Sequence, residues 1–470
     1  MKYKNMYGEV SEHKLDSYCK SDKKQNFLDE YQGKNVLICG LGISGVGAYN
    51  ALKKLKANIY VFANDISLIS NDKEVVFIKT LTSRIIQDMD LIILSPTTQF
   101  SKKIIKIIAN NQIECIGEIE FGYRLCTAPI FAITGTNGKT TTATLLNEMI
   151  ATTYSSHALG NIGKSFSQNA LDLSENDRVV LECSSFQLAQ TKVFHPHISA
   201  LLNLAPDHLD FHKNIDEYFS AKLKIFQNMN NNDFAVVNFD DNHCFEYTKN
   251  ILPQIYYFST KQPCKGTFVQ DEMIMFSDGI ITYSVAKLEN LHYVGEHNLA
   301  NMLCATCMAI LAGVSIENIA FVLSAFHTPA HRLEFVRRLH NVDYYNDSKA
   351  TNIESCITAC KAINQPINLL LGGSNKGEKF KTLAQHLPKN VKKVYLFGKT
   401  QTKLFRALHK CSNVQVFKCK TLIGAIKFSV IKAQSGETVL LSPACASFDS
   451  FANFEERGNY FKQIVNELEK

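Results

Sequence analysis

Residues 130–141 read Ile130-Phe131-Ala132-Ile133-Thr134-Gly135-Thr136-Asn137-Gly138-Lys139-Thr140-Thr141. Ile130 to Thr134 predicts a buried strand, the glycine turn breaks it, and a helix starts at Lys139. In that setting Gly138 frees backbone amides, Lys139 reaches the outer phosphates of a nucleotide, and Thr140 offers a hydroxyl to Mg²⁺. Ile133 stands where the full phosphate-loop pattern has its first glycine, so ordinary P-loop GTPases and kinases match poorly. A plain glycine-lysine turn at a helix start is the alternative, and the strand before it and the threonines after it speak against it.

Downstream of this loop, strand-like runs at Val179 to Leu181, Ile198 to Leu202 and Ala235 to Val237 predict a parallel sheet. Glu182 ends the first of these runs and so projects at the carboxyl edge beside the phosphate loop, where a magnesium ion needs further hard oxygen ligands. Asp207-His208-Leu209-Asp210 brings a second polar cluster to the same edge. Phe268 to Val285 alternates like a hairpin about Asp278-Gly279, helical patterns cover His297 to Leu311 and Ile316 to Phe326, and Thr328-Pro329-Ala330 reads as a linker.

Upstream, Val36 to Cys39 predicts a buried strand, followed by a glycine turn, a helix to about Lys56 and a strand ending near Ala63. A further strand, Leu91 to Leu94, runs into Ser95-Pro96, and a loop and helix carry the chain to about Ile116. Cys39-Gly40-Leu41-Gly42-Ile43-Ser44-Gly45 could admit a diphosphate at a helix N-terminus, with Asp65 placed for a ribose, or could serve only tight strand-to-helix packing. Its glycines miss the dinucleotide spacing.

Beyond residue 330, strands at Val342 to Tyr345, Ile367 to Leu371, Val394 to Phe397, Val414 to Lys418 and Thr438 to Leu441 alternate with helical patterns. Three of them end in polar clusters, at Asn346 to Asn352, Gly372 to Gly377 and Ser442 to Phe448, which favours one ligand crevice over three separate turns. The fold class expected is α/β in three domains, each on a mostly parallel sheet: Rossmann-like, P-loop ATPase-like, and Rossmann-like again. The boundaries are an extension at 1–32 and domains at 33–116, 117–329 and 330–470.

A chain of 470 residues, 46% hydrophobic, can fill several cores. Its formal charge of +6 is spread without a basic block, which offers nucleic acid no track. The N-terminus mixes both charge signs, and no apolar run is long enough to span a bilayer, so a cytoplasmic protein without membrane insertion is expected. Most of the 14 cysteines then read as reduced, buried hydrophobes. Cys304 and Cys307, and likewise Cys356 and Cys360, lie in helical apolar patterns, which favours core packing over a metal or redox site.

The motifs GTNGKTT (135–141), ECSSFQ (182–187), DHLD (207–210), SAKLK (220–224), GEHN (295–298), AHRLE (330–334), NDSKATN (346–352), GGSNKG (372–377) and SPACASFDSFANFEERG (442–458) follow one another in this order. Together they resemble the Mur ligase family, and the last four its D-glutamate-adding branch. The resemblance implies a UDP-binding first domain, an ATPase central domain and a mobile C-terminal domain that brings the amino acid. It implies a monomeric ligase that joins D-glutamate to UDP-N-acetylmuramoyl-L-alanine through an acyl phosphate, with ATP and two Mg²⁺ ions, in peptidoglycan precursor synthesis.

Carried over residue by residue, the resemblance gives the sugar diphosphate to Ser44, Gly45 and Asn161, with Asp65 near the uracil. Gly135, Thr136, Asn137, Gly138, Lys139, Thr140 and Thr141 hold ATP with Asn298, Arg332 and Asp347. Thr140, Glu182 and His208 ligate metal, joined by Lys222 as the family's carbamylated lysine. Lys349, Thr351, Lys376, Ser447 and Phe454 position D-glutamate and the reacting groups. The sequence departs from the family's pattern at Ile66-Ser67 after Asp65 and at Thr97-Thr98 after Ser95-Pro96. Competing readings are another amide ligase of the family, a nicotinamide-dependent oxidoreductase using the first glycine loop, and a silent nucleotide-binding regulator. The oxidoreductase leaves Lys139, Thr140 and Glu182 without a role, and intact candidates for every catalytic position speak against the regulator.

Overall fold

In the computed structural model, residues 23–469 are described except 97, 99, 209, 210, 328, 376, 378 and 412. Three sheets follow one another along the chain. The first holds β1 (Asn35–Cys39), β2 (Asn58–Phe62), β3 (Val76–Phe77), β4 (Leu91–Leu94) and β5 (Glu114–Gly117), all parallel, in the order β3-β2-β1-β4-β5. The order reverses between β1 and β4, and there the first glycine loop opens.

The central sheet holds β6 (Ile130–Thr134), β7 (Ser155–Gly160), β8 (Asp177–Glu182), β9 (Ile198–Leu201), β10 (Phe234–Asn238), β11 (Gln254–Ser259), β12 (Gly266–Gln270), β13 (Met273–Ser277) and β14 (Thr282–Lys287). Its order is β14-β13-β12-β11-β10-β9-β6-β8-β7, parallel except for the pairings of β13. β6 therefore lies between β8 and β9, so Glu182 and the segment after Leu201 flank the phosphate loop. Two hairpins stand where one was expected. The extra turn is Asp271-Glu272, left-handed at φ 49° and 56°, made without glycine or asparagine and so carrying no sequence signal.

The third sheet holds β15 (Glu334–Leu339), β16 (Val342–Asn346), β17 (Ile367–Gly372), β18 (Val391–Phe397), β19 (Gln415–Lys420) and β20 (Thr438–Leu441), in the order β15-β16-β20-β17-β18-β19. Only β15 runs antiparallel. The last strand of the chain inserts between β16 and β17, which brings the three polar strand ends side by side. The α/β class with mostly parallel sheets is as expected.

One apolar core runs from the first sheet into the central one, from Val36 and Ile116 through Phe166 to Val179 and Leu201. The helix Lys23–Tyr31, inside the segment read as an extension, contributes Phe27 and Tyr31 to it, and Tyr31 meets Phe121 edge-on. The third unit keeps its own cores on the two faces of its sheet. Cys304, Cys307, Cys356 and Cys360 are buried free thiols, as their helical spacing implied. Among the described residues, no helix is long and apolar enough to cross a membrane.

Candidate active site

The phosphate loop is built by backbone strain and side-chain bracing. Gly138 caps the helix Lys139–Ala151 with φ +86°, and a Cβ there would lie 2.2 Å from Asn301 Oδ1. Asn203, just past β9, accepts from the Asn137 N–H at 2.8 Å and donates to the Asn137 carbonyl at 3.1 Å. The Thr136 hydroxyl donates to the Ala205 carbonyl at 3.1 Å and accepts from the Tyr218 hydroxyl at 3.3 Å. Thr140 and Thr141 follow in the first helical turn, and the buried Thr141 Oγ1 has no hydrogen-bond partner.

Two lysines share one carbonyl inside this loop. Lys139 Nζ donates to Gly135 O and Thr136 O, both at 2.8 Å, and Lys222 Nζ donates to the same Gly135 O at 2.7 Å. Burial pushes the Lys139 ammonium down, with Glu182 and Asp207 opposing and Arg332 adding to the fall. Burial, reinforced by the charge of Lys139, pushes Lys222 further below its ordinary range. Both therefore hold their protons weakly, and both are satisfied best by an anion.

Glu182 supplies part of that charge. Its Oε1 accepts from Asn161 Nδ2 at 2.9 Å, while the buried Oε2 has no partner. His208 takes the left-handed conformation, φ 53°, its N–H held by Asp207 Oδ1 at 2.8 Å and its ring edge-on to Phe186. Leu209 and Asp210 lie outside the described residues. Among the described residues, no three His, Cys, Asp or Glu side chains converge closely enough to hold a metal by themselves.

The third unit faces this loop. Asn352 Nδ2 donates to Asp207 Oδ2 at 2.9 Å, Ser355 Oγ donates to Asn137 Oδ1 at 2.6 Å, and Asn137 Nδ2 donates to Glu354 Oε2 at 3.2 Å. Asp347 is buried, accepts from Ser442 Oγ at 2.7 Å and from the Leu333 N–H at 3.2 Å, and burial raises its carboxyl to about 7. Lys349 sits 3.8 Å above the Phe454 ring; burial, aided by the charge of Arg332, lowers its ammonium to about 8. Burial likewise lowers Arg332, with Glu182 and Asp347 opposing. Ser447 is buried and Thr351 half-buried at the same end of the sheet. Lys376 lies outside the described residues. Asn298 is buried at the start of the helix Glu296–Leu311, beside the Asn301 that Gly138 accommodates.

In the first unit, Gly45 packs so tightly that a Cβ would meet Gly40 O at 1.9 Å. Ser95 Oγ donates to Gly40 O at 3.0 Å and Thr98 Oγ1 to Cys39 O at 3.0 Å, so the Ser95-Pro96 stretch and the half-buried Ser44 share one crevice. Asp65 Oδ1 accepts from the Ser67 N–H at 2.9 Å in an exposed turn. Asn161 Nδ2 donates to Glu182 Oε1, at the end of the strand that pairs with the phosphate-loop strand.

Several contributors escaped sequence reasoning. Asn203, Asn301 and Tyr218 brace the loop from distant segments and carry no local signal. Arg457 is fully buried and ties Ser348 Oγ at 2.9 Å, Ser348 O at 2.7 Å and Cys445 O at 3.0 Å. The one available hint was an arginine inside the FEERG run.

Known proteins resemble this chain. Residues 133–309 match the Mur ligase middle domain and residues 331–445 the Mur ligase glutamate ligase domain. Relatives named UDP-N-acetylmuramoylalanine--D-glutamate ligase, from Alkaliphilus metalliredigens (strain QYMF) and Thermoanaerobacter sp. (strain X514), are 40% and 38% identical, each over 94% of this chain and 100% of the relative. Among solved structures, a pseudomurein peptide ligase type C from Methanothermus fervidus superposes with a TM-score of 0.60 at 18% identity, over 93% of this chain and 100% of that one. A MurF ligase from Thermotoga maritima in complex with ADP gives 0.59 at 16% identity, over 94% and 97%. Those two likenesses speak for the fold, and the sequence relatives, aligned over their whole length, for descent. The chain belongs to the Mur ligase family.

Proposed function

We propose that this chain is an ATP-dependent amide ligase that joins D-glutamate to UDP-N-acetylmuramoyl-L-alanine in peptidoglycan precursor synthesis. The observation that carries the reading is the meeting of two loops of different units. The phosphate loop, with Lys139 and Lys222 on one carbonyl, faces the Asn346–Asn352 loop, with Lys349 and Arg332 alongside. Such a gathering of buried basic side chains suits a reaction in which two anions must approach each other.

In that reaction an oxygen of the L-alanine carboxylate attacks the γ-phosphorus of ATP, the bond to the β-γ bridging oxygen breaks, and ADP leaves. The D-glutamate nitrogen then attacks the acyl carbon, phosphate departs with the bonding pair, and the nitrogen releases a proton. Lys139 and the loop amides hold the transferring phosphoryl group, and Lys349 with Arg332 offsets charge on the side where the amine arrives. Ser44, Gly45, Asp65 and Asn161 take the UDP-sugar; Asn298 and Asp347 take the adenosine; Thr351, Lys376, Ser447 and Phe454 take D-glutamate.

The donor set fits magnesium. Glu182 Oε2 is buried without a partner, an atom that a cation would satisfy, and the Thr140 hydroxyl and His208 would supply further ligands. Mg²⁺ bound there would neutralise phosphate charge. An ammonium cannot ligate a metal, so Lys222 could join only as a carbamate, and burial favours the neutral amine that reacts with CO₂.

Phosphate release from ATP with UDP-N-acetylmuramoyl-L-alanine, measured separately with D-glutamate, L-glutamate and L-lysine, tests the reading. Stoichiometric release with D-glutamate alone is expected. Sustained release that does not depend on D-glutamate would overturn the specificity.

A further inference from the structure

Asn352 divides its side-chain amide between two tasks. Its Oδ1 caps the helix Ile353–Ala362 by accepting from the Ser355 N–H at 2.8 Å, and its Nδ2 reaches out of the third unit to Asp207 at 2.9 Å. Serine, threonine and aspartate would cap equally well, but none offers an amide donor beside the capping oxygen. Three residues on, the Ser355 hydroxyl reaches Asn137 at 2.6 Å. Asn203 holds Asn137 through both backbone groups, and the His208 N–H holds Asp207, so the receiving ends are rigid. Both contacts join segments far apart in the chain, and both stand at the N-terminal end of one helix. That helix follows directly on Lys349 and Thr351.

We infer that Asn352 and Ser355 are positioning residues. They dock the amino-acid unit on the phosphate loop through Asp207 and Asn137, so that an acyl phosphate forms within reach of the amine that consumes it. The inference rests on the ligase reading above. Three hydrogen bonds cross this joint, counting that of Asn137 Nδ2 to Glu354 Oε2, and two of them end on a carboxylate, which makes a contact that can open and close. Asp207 also lies opposite Lys139 and Lys222, so docking and the charge of the phosphate loop share one side chain.

Asn352→Asp keeps the cap oxygen and sets a second carboxylate against Asp207. A roughly tenfold rise in KM for D-glutamate is expected, with a smaller change in kcat. Phosphate released per amide formed should climb above one, because undocked acyl phosphate is lost to water. Acyl phosphate trapped with hydroxylamine in the absence of D-glutamate should stay near the wild-type amount.

Combining Asn352→Asp with Asp207→Asn restores the pair in reverse and should bring KM and the phosphate ratio back, though not kcat, since Asp207 also faces the lysines. Ser355→Ala, which leaves the cap untouched, should move KM and the ratio the same way by roughly threefold.

Wild-type coupling in Asn352→Asp, an equal loss in trapping and in ligation, or a reversed pair that recovers neither KM nor the ratio would each overturn the inference. Wild-type enzyme that traps no acyl phosphate would instead overturn the ligase reading.

Discussion

Lys139 and Lys349 are both depressed by burial, and the protein uses them on opposite sides of the reaction proposed for it. Lys139→Ala should lower D-glutamate-dependent phosphate release by about 10³-fold or more while leaving UDP-sugar affinity near wild type, because the first glycine loop lies on another sheet; calorimetric binding of the UDP-sugar checks the second half. Lys349 should set the upper pH limit. With its ammonium near 8, the cation is present below that pH and lost above it, so KM for D-glutamate should rise as pH climbs through 8. Folding carries the opposite sign: a cation pushed down costs stability while charged, so this contribution weakens the fold as pH falls through 8. Lys139 was legible because Gly138 and Thr140 surround it in a short pattern. Lys222 was not, since SAKLK reads as an ordinary helix and its ammonium is buried only through the packing of Tyr218 and the loop carbonyl.

Among elements, strands with continuous apolar runs were read within a residue or two, as at Leu91–Leu94 and Thr438–Leu441. Some of the pieces missed had no such run, although β11, with Ile255 to Phe258, did. β7, Ser155 to Gly160, has a single buried residue, Leu159, and β15 is half charged, as edge strands commonly are. Helix packing between units was equally hidden, and glycines expose it now. A Cβ at Gly47 would lie 1.8 Å from Ser165 Oγ, whereas one at Gly42 would meet nothing within 4 Å. Gly47→Ala must therefore push the helix Ile43–Lys54 off Ser165, and a loss of about 1–3 kcal/mol is expected in denaturant titration. Gly42→Ala, at the exposed start of the same helix, should cost less than about 1 kcal/mol.

At the scale of the whole molecule, the two joints differ in kind. The first and central units share one apolar core, with Phe166 fully buried against Gly122 and the helix Glu118–Leu125. The third unit has its own cores, against one of which Val294 of the central unit packs, and it meets the phosphate loop through side-chain hydrogen bonds. Neither joint could be read from local sequence, because each depends on which strand ends become neighbours, as when β20 inserts between β16 and β17.

A large shared core makes two units unfold together, whereas a polar contact lets its partner unfold alone. Calorimetry of the intact chain should then resolve two transitions. Phe166→Ala should remove about 3–5 kcal/mol from the transition of the first two units and leave the other in place. Ile426→Ala, buried in the third unit alone, should do the reverse at about 2–5 kcal/mol. A single transition shifted equally by both variants would mean that the polar joint is as strong as the apolar one, and the third unit would then not move independently during turnover.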